Sequence, residues 1–260
     1  MGVLQFDGTD DRIRWTTLAS ALQNTSDGAC TMGFLIKRDS LQAGTHGLGY
    51  LLSGATTAEF GLGFWDSSGG APHHAFMDIS EVGTRDFPSN LGNTADSMML
   101  VVSKAAGTST PRLGWKLEPG GAWTHEDANT TLVDQAAASI LEIGCWEGGE
   151  FLATHIGLVG VWEGAMSDGD KEALDDNWQT SDWWQSAHGE PVFLAELNVA
   201  GASVVDLAEN ASSLAVTGTT LDAAETLDDW TFNGTGIAPP SVAVDADYSR
   251  FPKHKLRTVA

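Results

Sequence analysis

The chain has 260 residues, enough apolar side chains for a sizeable core, and a formal net charge of −22. That charge excludes a nucleic-acid-facing surface, which needs clustered Lys and Arg against phosphate, and it disfavours adhesion to anionic lipid. No stretch approaches the roughly 20 apolar residues of a membrane helix, and the start, Met1-Gly2-Val3-Leu4-Gln5-Phe6-Asp7, lacks the basic and apolar regions of a secretory signal, so folding in a cytosol is expected.

Val3-Leu4-Gln5-Phe6 reads as a strand, Asp7-Gly8-Thr9-Asp10-Asp11 as a turn marked by its Asp-Gly pair, and Arg12-Ile13-Arg14-Trp15 as an alternating second strand. The two are expected to form a hairpin or a bent strand pair. Residues 30–38 are the clearest long strand, with β-branched, apolar and aromatic residues running into charges. Strands at 50–53 and 59–65 follow. In the latter, Gly61 and Gly63 alternate with bulky residues, which predicts a neighbouring surface packed closely on one face. Residues 74–79, the unbroken apolar run 97–104, the alternating 111–117, and residues 139–144 and 156–162 are further strands. Cys30 and Cys145 sit in apolar contexts with no CxxC spacing, so both are expected as reduced core thiols.

The period then changes. Ser167 is a good N-cap before Asp168-Gly169-Asp170-Lys171-Glu172-Ala173-Leu174, with acids in the first turn, so a short helix is predicted there. Beyond residue 180 the signals weaken; 192–194, 204–207 and 214–216 are candidate short strands. Gly234-Thr235-Gly236 and Pro239-Pro240 read as a linker. After Asp247 there is no acid, while Arg250, Lys253, Lys255 and Arg257 give the last 13 residues a charge of +4 and leave −26 on the rest. The expected organisation is an all-β, two-sheet antiparallel sandwich over 1–235 and a basic C-terminal arm over 236–260. Residues 180–235 are open between completing the sandwich and forming an added lobe.

Three segments resemble the laminin-G-like, concanavalin-A-like jelly rolls. Leu4-Gln5-Phe6-Asp7-Gly8-Thr9-Asp10-Asp11 is similar to their opening strand and turn, and Thr31-Met32-Gly33-Phe34-Leu35-Ile36-Lys37 to the strand that follows. Ile156-Gly157-Leu158-Val159-Gly160-Val161-Trp162-Glu163-Gly164-Ala165-Met166-Ser167-Asp168 resembles the last core strand leading into a short helix. The resemblance covers residues 1 to about 178 in order. With a cytosolic start and a basic arm, the chain also resembles tailed-bacteriophage virion proteins of this fold, which serve as capsid decorations, minor head proteins or tail appendages. That implies a jelly roll located in a virion and partnered by its own copies, by major capsid or tail proteins, or by a host-surface glycan. Fold alone does not fix function.

Catalysis is not expected. Jelly-roll glycosidases need two carboxylates across the scissile bond, and some carry them on one strand as Glu-x-Asp-x-x-Glu. The nearest match, Phe76-Met77-Asp78-Ile79-Ser80-Glu81, has Phe76 at the first carboxylate position. Asp78 and Glu81, three apart, point to opposite faces of a strand. The seven histidines fall in no nucleophile signature, and His73-His74 would face opposite ways.

Calcium is the most plausible cofactor. Hard cations want several oxygen ligands, often from turns, and Asp7, Asp10 and Asp11 crowd one turn; the plainer reading is a hydrogen-bonded Asx turn. Acids at 168–176 read as helix N-terminal charge. For glycan binding, an exposed aromatic platform is needed, and Trp123, Trp146 and Trp183 are the candidates, against packing in the core or an interface. For assembly, Arg250, Phe251, Lys253, Lys255 and Arg257 form the candidate arm, its cations meeting acidic surface and Phe251 supplying the apolar anchor; the alternative is a basic tail without fixed contacts. The expected function is a non-enzymatic virion structural protein, a capsid decoration or minor capsid protein that oligomerises on the shell. The alternative is a glycan-binding module of a tail appendage or receptor-binding protein.

Overall fold

A computed structural model describes residues 2–38, 44–55, 57–66, 74–79, 83–91, 97–117, 121–146, 149–174, 189–197 and 204–226. In chain order these form β1 (Gly2–Asp7), β2 (Arg12–Leu18), α1 (Ser20–Gln23), β3 (Cys30–Arg38), β4 (Gly44–Leu52) and β5 (Ala58–Asp66). Next come β6 (His74–Ile79), β7 (Gly83–Asn90), β8 (Ser97–Lys104), β9 (Arg112–Leu117), β10 (Thr124–Asp127) and β11 (Ile140–Ile143). The chain continues through β12 (Cys145–Trp146), β13 (Glu150–Phe151), β14 (Ala153–Glu163), α2 (Asp168–Ala173), β15 (Phe193–Glu196), β16 (Ala211–Thr217) and β17 (Thr220–Thr226).

Two antiparallel sheets hold almost all of this. Sheet A has the order β10-β9-β8-β3-β14-β1-β17, and β15 pairs with β14 in line with β1. Sheet B has the order β16-β2-β11-β4-β5-β6-β7, while β12 and β13 form a separate small hairpin. The main core lies between the sheets. Met32, Phe34 and Ile36 of β3 and Met98, Leu100 and Val102 of β8 meet Leu51, Phe60, Leu62, Leu141 and Ile143 of sheet B there. The alternate residues Leu35, Met99 and Val101 point the other way, into a second cluster with Trp162, Met166 and Leu174. Sheet A is thus buried on both faces, which is why β8 reads as an unbroken apolar run. The Trp162 indole fits over Gly33 and Gly160, which face each other across β3 and β14.

The predicted helix is α2. Ser167 Oγ accepts from the Asp170 amide, and the Asp170 carboxylate accepts from the Ser167 amide, a complete capping box. α1, one turn long, carries no such signal in the sequence. Cys30 and Cys145 are both buried and not in a disulfide.

Two expectations are corrected, and one question the sequence left open is answered for the described residues. β1 and β2 are not a hairpin. They lie in different sheets, and Asp7–Asp11 is the corner between them. The strand expected at 204–207 is irregular chain that runs into a turn at 207–208, because the Asp206 carboxylate gathers the amides of Leu194, Ala208, Asn210 and Ala211 and bends the chain around itself. β15, β16 and β17 are members of the two sheets, so the described residues between 189 and 226 build the sandwich itself. β16 and β17 cross between sheets at Gly218–Thr219, directly beside the β1–β2 corner.

Candidate binding site

The outer face of sheet B carries a line of aromatic rings set by strand register. One cross-strand row runs Arg14, Glu142, Tyr50, Gly61; the next runs Gly47, Gly63, Phe76; a third runs Thr45, Trp65, His74. The inward residues of the same strands, such as Phe60, Leu62 and Phe64, fill the main core. Gly61 and Gly63 leave room on the outer side. A Cβ on Gly61 would overlap the Tyr50 ring, and one on Gly63 would lie 2.6 Å from Phe76 Cε1. This is the close packing that the alternation of glycines with bulky residues predicted.

The β12–β13 hairpin is laid over β4 next to this floor. Gly47 has the Cys145 backbone against it, and His46 Nδ1 is 2.7 Å from the Phe151 carbonyl oxygen. The hairpin presents Trp146 edge-on to Phe76, with ring centroids 6.4 Å apart and planes at 88°. Trp146 is half-buried, and its Nε1–H has no acceptor in the structure. Trp65 and His74 are half-buried too, their rings 6.4 Å apart. Tyr50 and Phe76 are fully buried beneath. At the far end Arg14 pairs with Glu142, a carboxylate with no exposure. Chemically the face offers partly exposed aromatic edges over a fixed floor, with polar groups at the flank, the make-up of a shallow ligand site.

The sequence candidates distribute as follows. Trp146 belongs to this face. Trp123 does not join it: it packs against the cluster on the outer face of sheet A and stacks on His125, centroids 5.8 Å apart and planes at 8°. The two tryptophans therefore lie on opposite faces of the sandwich and cannot share one ligand. Trp183 lies outside the described residues, as do Arg250, Phe251, Lys253, Lys255 and Arg257 of the arm. So do Glu81 and the side chain of Asp78. Sequence reading missed Trp65, His74 and Tyr50; the Gly61/Gly63 alternation was the signal that could have found them.

Around Trp123 the polar groups are structural in their connections. Arg112 of β9 makes a two-point bond to Asp168 of α2, at 2.8 and 2.6 Å, and also reaches Asp127. His125 lies 3.0 Å from Glu172. Lys171 donates to the Arg112 carbonyl at 2.8 Å and is wholly buried. These contacts clamp α2 onto sheet A.

Asp7, Asp10 and Asp11 do come together, with one carboxylate oxygen from each within 4.8 Å of the others. Asp11 accepts the Asp7 amide at 2.5 Å and Asp7 accepts the Thr9 amide at 2.7 Å, the bonds of a turn. Burial pushes the Asp11 carboxyl above its usual range, opposed by the Asp7 amide and reinforced by the charges of Asp7 and Asp10. Three hard oxygens suit calcium in kind, but a calcium shell needs about six to eight, and two of these side chains already serve the turn.

No family model matches the chain, and no curated protein matches it. Solved structures do. A native heptameric SAP-like pentraxin from Limulus polyphemus superposes with a TM-score of 0.50 at 10% identity, over 84% of this chain and 93% of that one. Tailspike protein 2 from Escherichia coli O157:H7 bacteriophage CAB120 gives 0.50 at 13% identity, over 75% of this chain and 26% of the tailspike. The chain thus spans about a quarter of the tailspike's length. A CBM40 of the Ruminococcus gnavus IT-sialidase bound to alpha2,3 sialyllactose gives 0.41 at 13% identity, over 67% and 98%. With the two sheets described above, the pentraxin and tailspike likenesses define the fold class: an antiparallel two-sheet jelly roll.

Proposed function

We propose that the chain is a non-catalytic carbohydrate-binding module of a bacteriophage virion, placed on a tail-related appendage, and that it binds glycan on the outer face of sheet B. The observation that carries this is Trp146, partly exposed, seated against Gly47 of β4 and set edge-on to Phe76. A sugar ring needs a rigid aromatic surface with polar groups beside it, and a shallow site of this kind gives weak affinity that is raised by multiple copies. A binding role rather than hydrolysis is supported by Phe76, which occupies the position of a first carboxylate and packs beneath Trp146.

The test is a glycan array probed with the full chain, followed by titration calorimetry of any hit with the Trp146→Ala and Trp65→Ala variants. Loss of binding in Trp146→Ala at unchanged Tm is expected. A blank array, or hits indifferent to both variants, removes the reading. The second reading is a shell protein that oligomerises as a capsid decoration or minor capsid protein. It is favoured by the exposed apolar side chains Val205 and Leu207, and light scattering of the native protein checks it.

A further inference from the structure

We propose that the chain's own segment 248–257 docks in the groove between the 204–210 turn and the outer strand β16, with Phe251 as its anchor. The groove has a volume of about 570 Å³ and is lined by Trp15, Val205, Leu207, Glu209, Ser213 and Leu214, among others. Val205 is 59% and Leu207 38% exposed, two of the three large apolar side chains left open among the described residues. Single exposed apolar residues are ordinary, but a pair lining a concave surface marks a contact site.

The groove is also held in shape at a cost. Glu209 and Ser213, with φ of 59° and 61°, are the only non-glycine residues in the left-handed region among those described, and both line it. Such backbone persists only where the surroundings fix it, and it concentrates at clamps and contact sites. Around Glu209 the fixing group is Asp206, and at Ser213 it is β2, whose Thr16 and Thr17 hydroxyls donate to the Ser213 carbonyl and hydroxyl oxygens. The Asp206 carboxylate accepts the amides of Leu194, Ala208, Asn210 and Ala211 and so fixes the turn that carries Val205, Leu207 and Glu209.

The chain's course names the occupant. β1 runs from Gly2 to the Asp7–Asp11 corner and β2 runs away from it to Leu18. Thr226 pairs with Gly2 and Ala211 pairs with Leu18. The chain therefore leaves β17 at the end of the sandwich where β16 begins and the groove lies. Twenty-three residues separate Thr226 from Arg250. At up to ~3.3 Å per residue they reach several tens of ångströms, farther than the groove requires. Segment 248–257 carries Arg250, Lys253, Lys255 and Arg257 with no acid, and the apolar Phe251 and Leu256. The groove offers apolar walls with the exposed Glu209 among its lining residues, against a body of charge −26. An aromatic anchor flanked by cations is the matching chemistry, the apolar contact supplying affinity and the charges orientation.

The experiment uses the full chain carrying Val205→Cys and Phe251→Cys, oxidised at low concentration; the native Cys30 and Cys145 are buried. An intramolecular disulfide on a non-reducing gel is expected, together with at least tenfold faster amide exchange across 207–214 in the separate Phe251→Ser variant. An intermolecular disulfide instead would hand the groove to a second copy and overturn docking within one chain. No disulfide, with exchange unchanged in Phe251→Ser, would overturn the proposal altogether. Neither readout depends on glycan binding at Trp146.

Discussion

Gly218 lies against Asp11: a Cβ on Gly218 would overlap the Asp11 carboxylate, so the two corners that carry the chain between sheets are pressed together at this pair. Gly218 also has a φ of 76°, a conformation that costs other residues about 1–2 kcal/mol. Gly218→Ala should lose about 3 kcal/mol, strain and overlap together. Gly107 is the control, with a φ of 73° and nothing within 4 Å of its Cβ position. Gly107→Ala should lose only about 1 kcal/mol. Urea melts of both variants measure the difference, and equal losses would mean that the corner contact contributes nothing.

Asp206 should be among the most sensitive polar positions. Its two oxygens accept four amides, Leu194 and Ala208 on one, Asn210 and Ala211 on the other. Asp206→Ala leaves these donors without a partner and should cost about 3 kcal/mol; Asp206→Asn keeps one acceptor and should recover about half. Burial, the largest influence, raises the Asp206 carboxyl above its usual 3.8 despite the four amides. The folded protein then holds this proton more tightly than the unfolded chain, so stability falls as pH rises from 3.8 through the raised value. Asp206→Asn should remove that part of the slope between pH 3 and 6 in urea midpoints.

Where the hydrophobic pattern decides a strand, the sequence was readable. β3, β8 and β14 are buried and apolar, and α2 is announced by Ser167 and Asp170. Where pairing decides, it was not. Thr220–Thr226 becomes a strand because β1 offers it an edge, and its own pattern is weak. Gly83–Asn90 contains Pro88 and is tolerated as the outermost strand of sheet B. An Asp-Gly turn looks the same whether it closes a hairpin or turns a corner, so β1 and β2 could not be assigned to different sheets in advance. Residues 204–207 have strand-like composition, and the four amides gathered by Asp206, one of them from the distant Leu194, show why they bend. For the site, the Gly61/Gly63 alternation was visible, but nothing local says that Trp123 and Trp146 lie on opposite faces.

The Arg112–Asp168 pair should respond to acid and to salt. The Arg112 guanidinium holds the Asp168 carboxyl below its usual 3.8. A depressed carboxyl contributes stability that is present above 3.8 and lost as pH falls through the lower folded value. The side chains are 39% and 36% exposed, so the two-point bond should be worth only about 1 kcal/mol. Arg112→Lys, which cannot make that fork, should lose most of it, and 0.5 M salt should narrow the gap between variant and parent. Thermal melts at two salt concentrations test this; a gap that widens with salt would assign Arg112 a packing role instead.

Lys171 gives the opposite pH signature, at the alkaline end. Its side chain is wholly buried under α2, donating to the Arg112 carbonyl. Burial, the largest influence, lowers its pKa from 10.5 to about 8, with Asp168 opposing the fall. Between those values the unfolded chain binds the proton that the folded protein has released. Stability should therefore rise with pH from about 8 toward 10.5, by on the order of 2 kcal/mol. Lys171→Met removes the titrating group and fills the same volume, so its urea midpoint should lack that rise, and the parent should gain on the variant steadily from pH 8 to 10. Below pH 8 the buried ammonium is a burden on the folded state, and the variant should equal or exceed the parent there. Parallel pH profiles for the two proteins would mean that the Lys171 ammonium stays solvated or fully compensated in the fold.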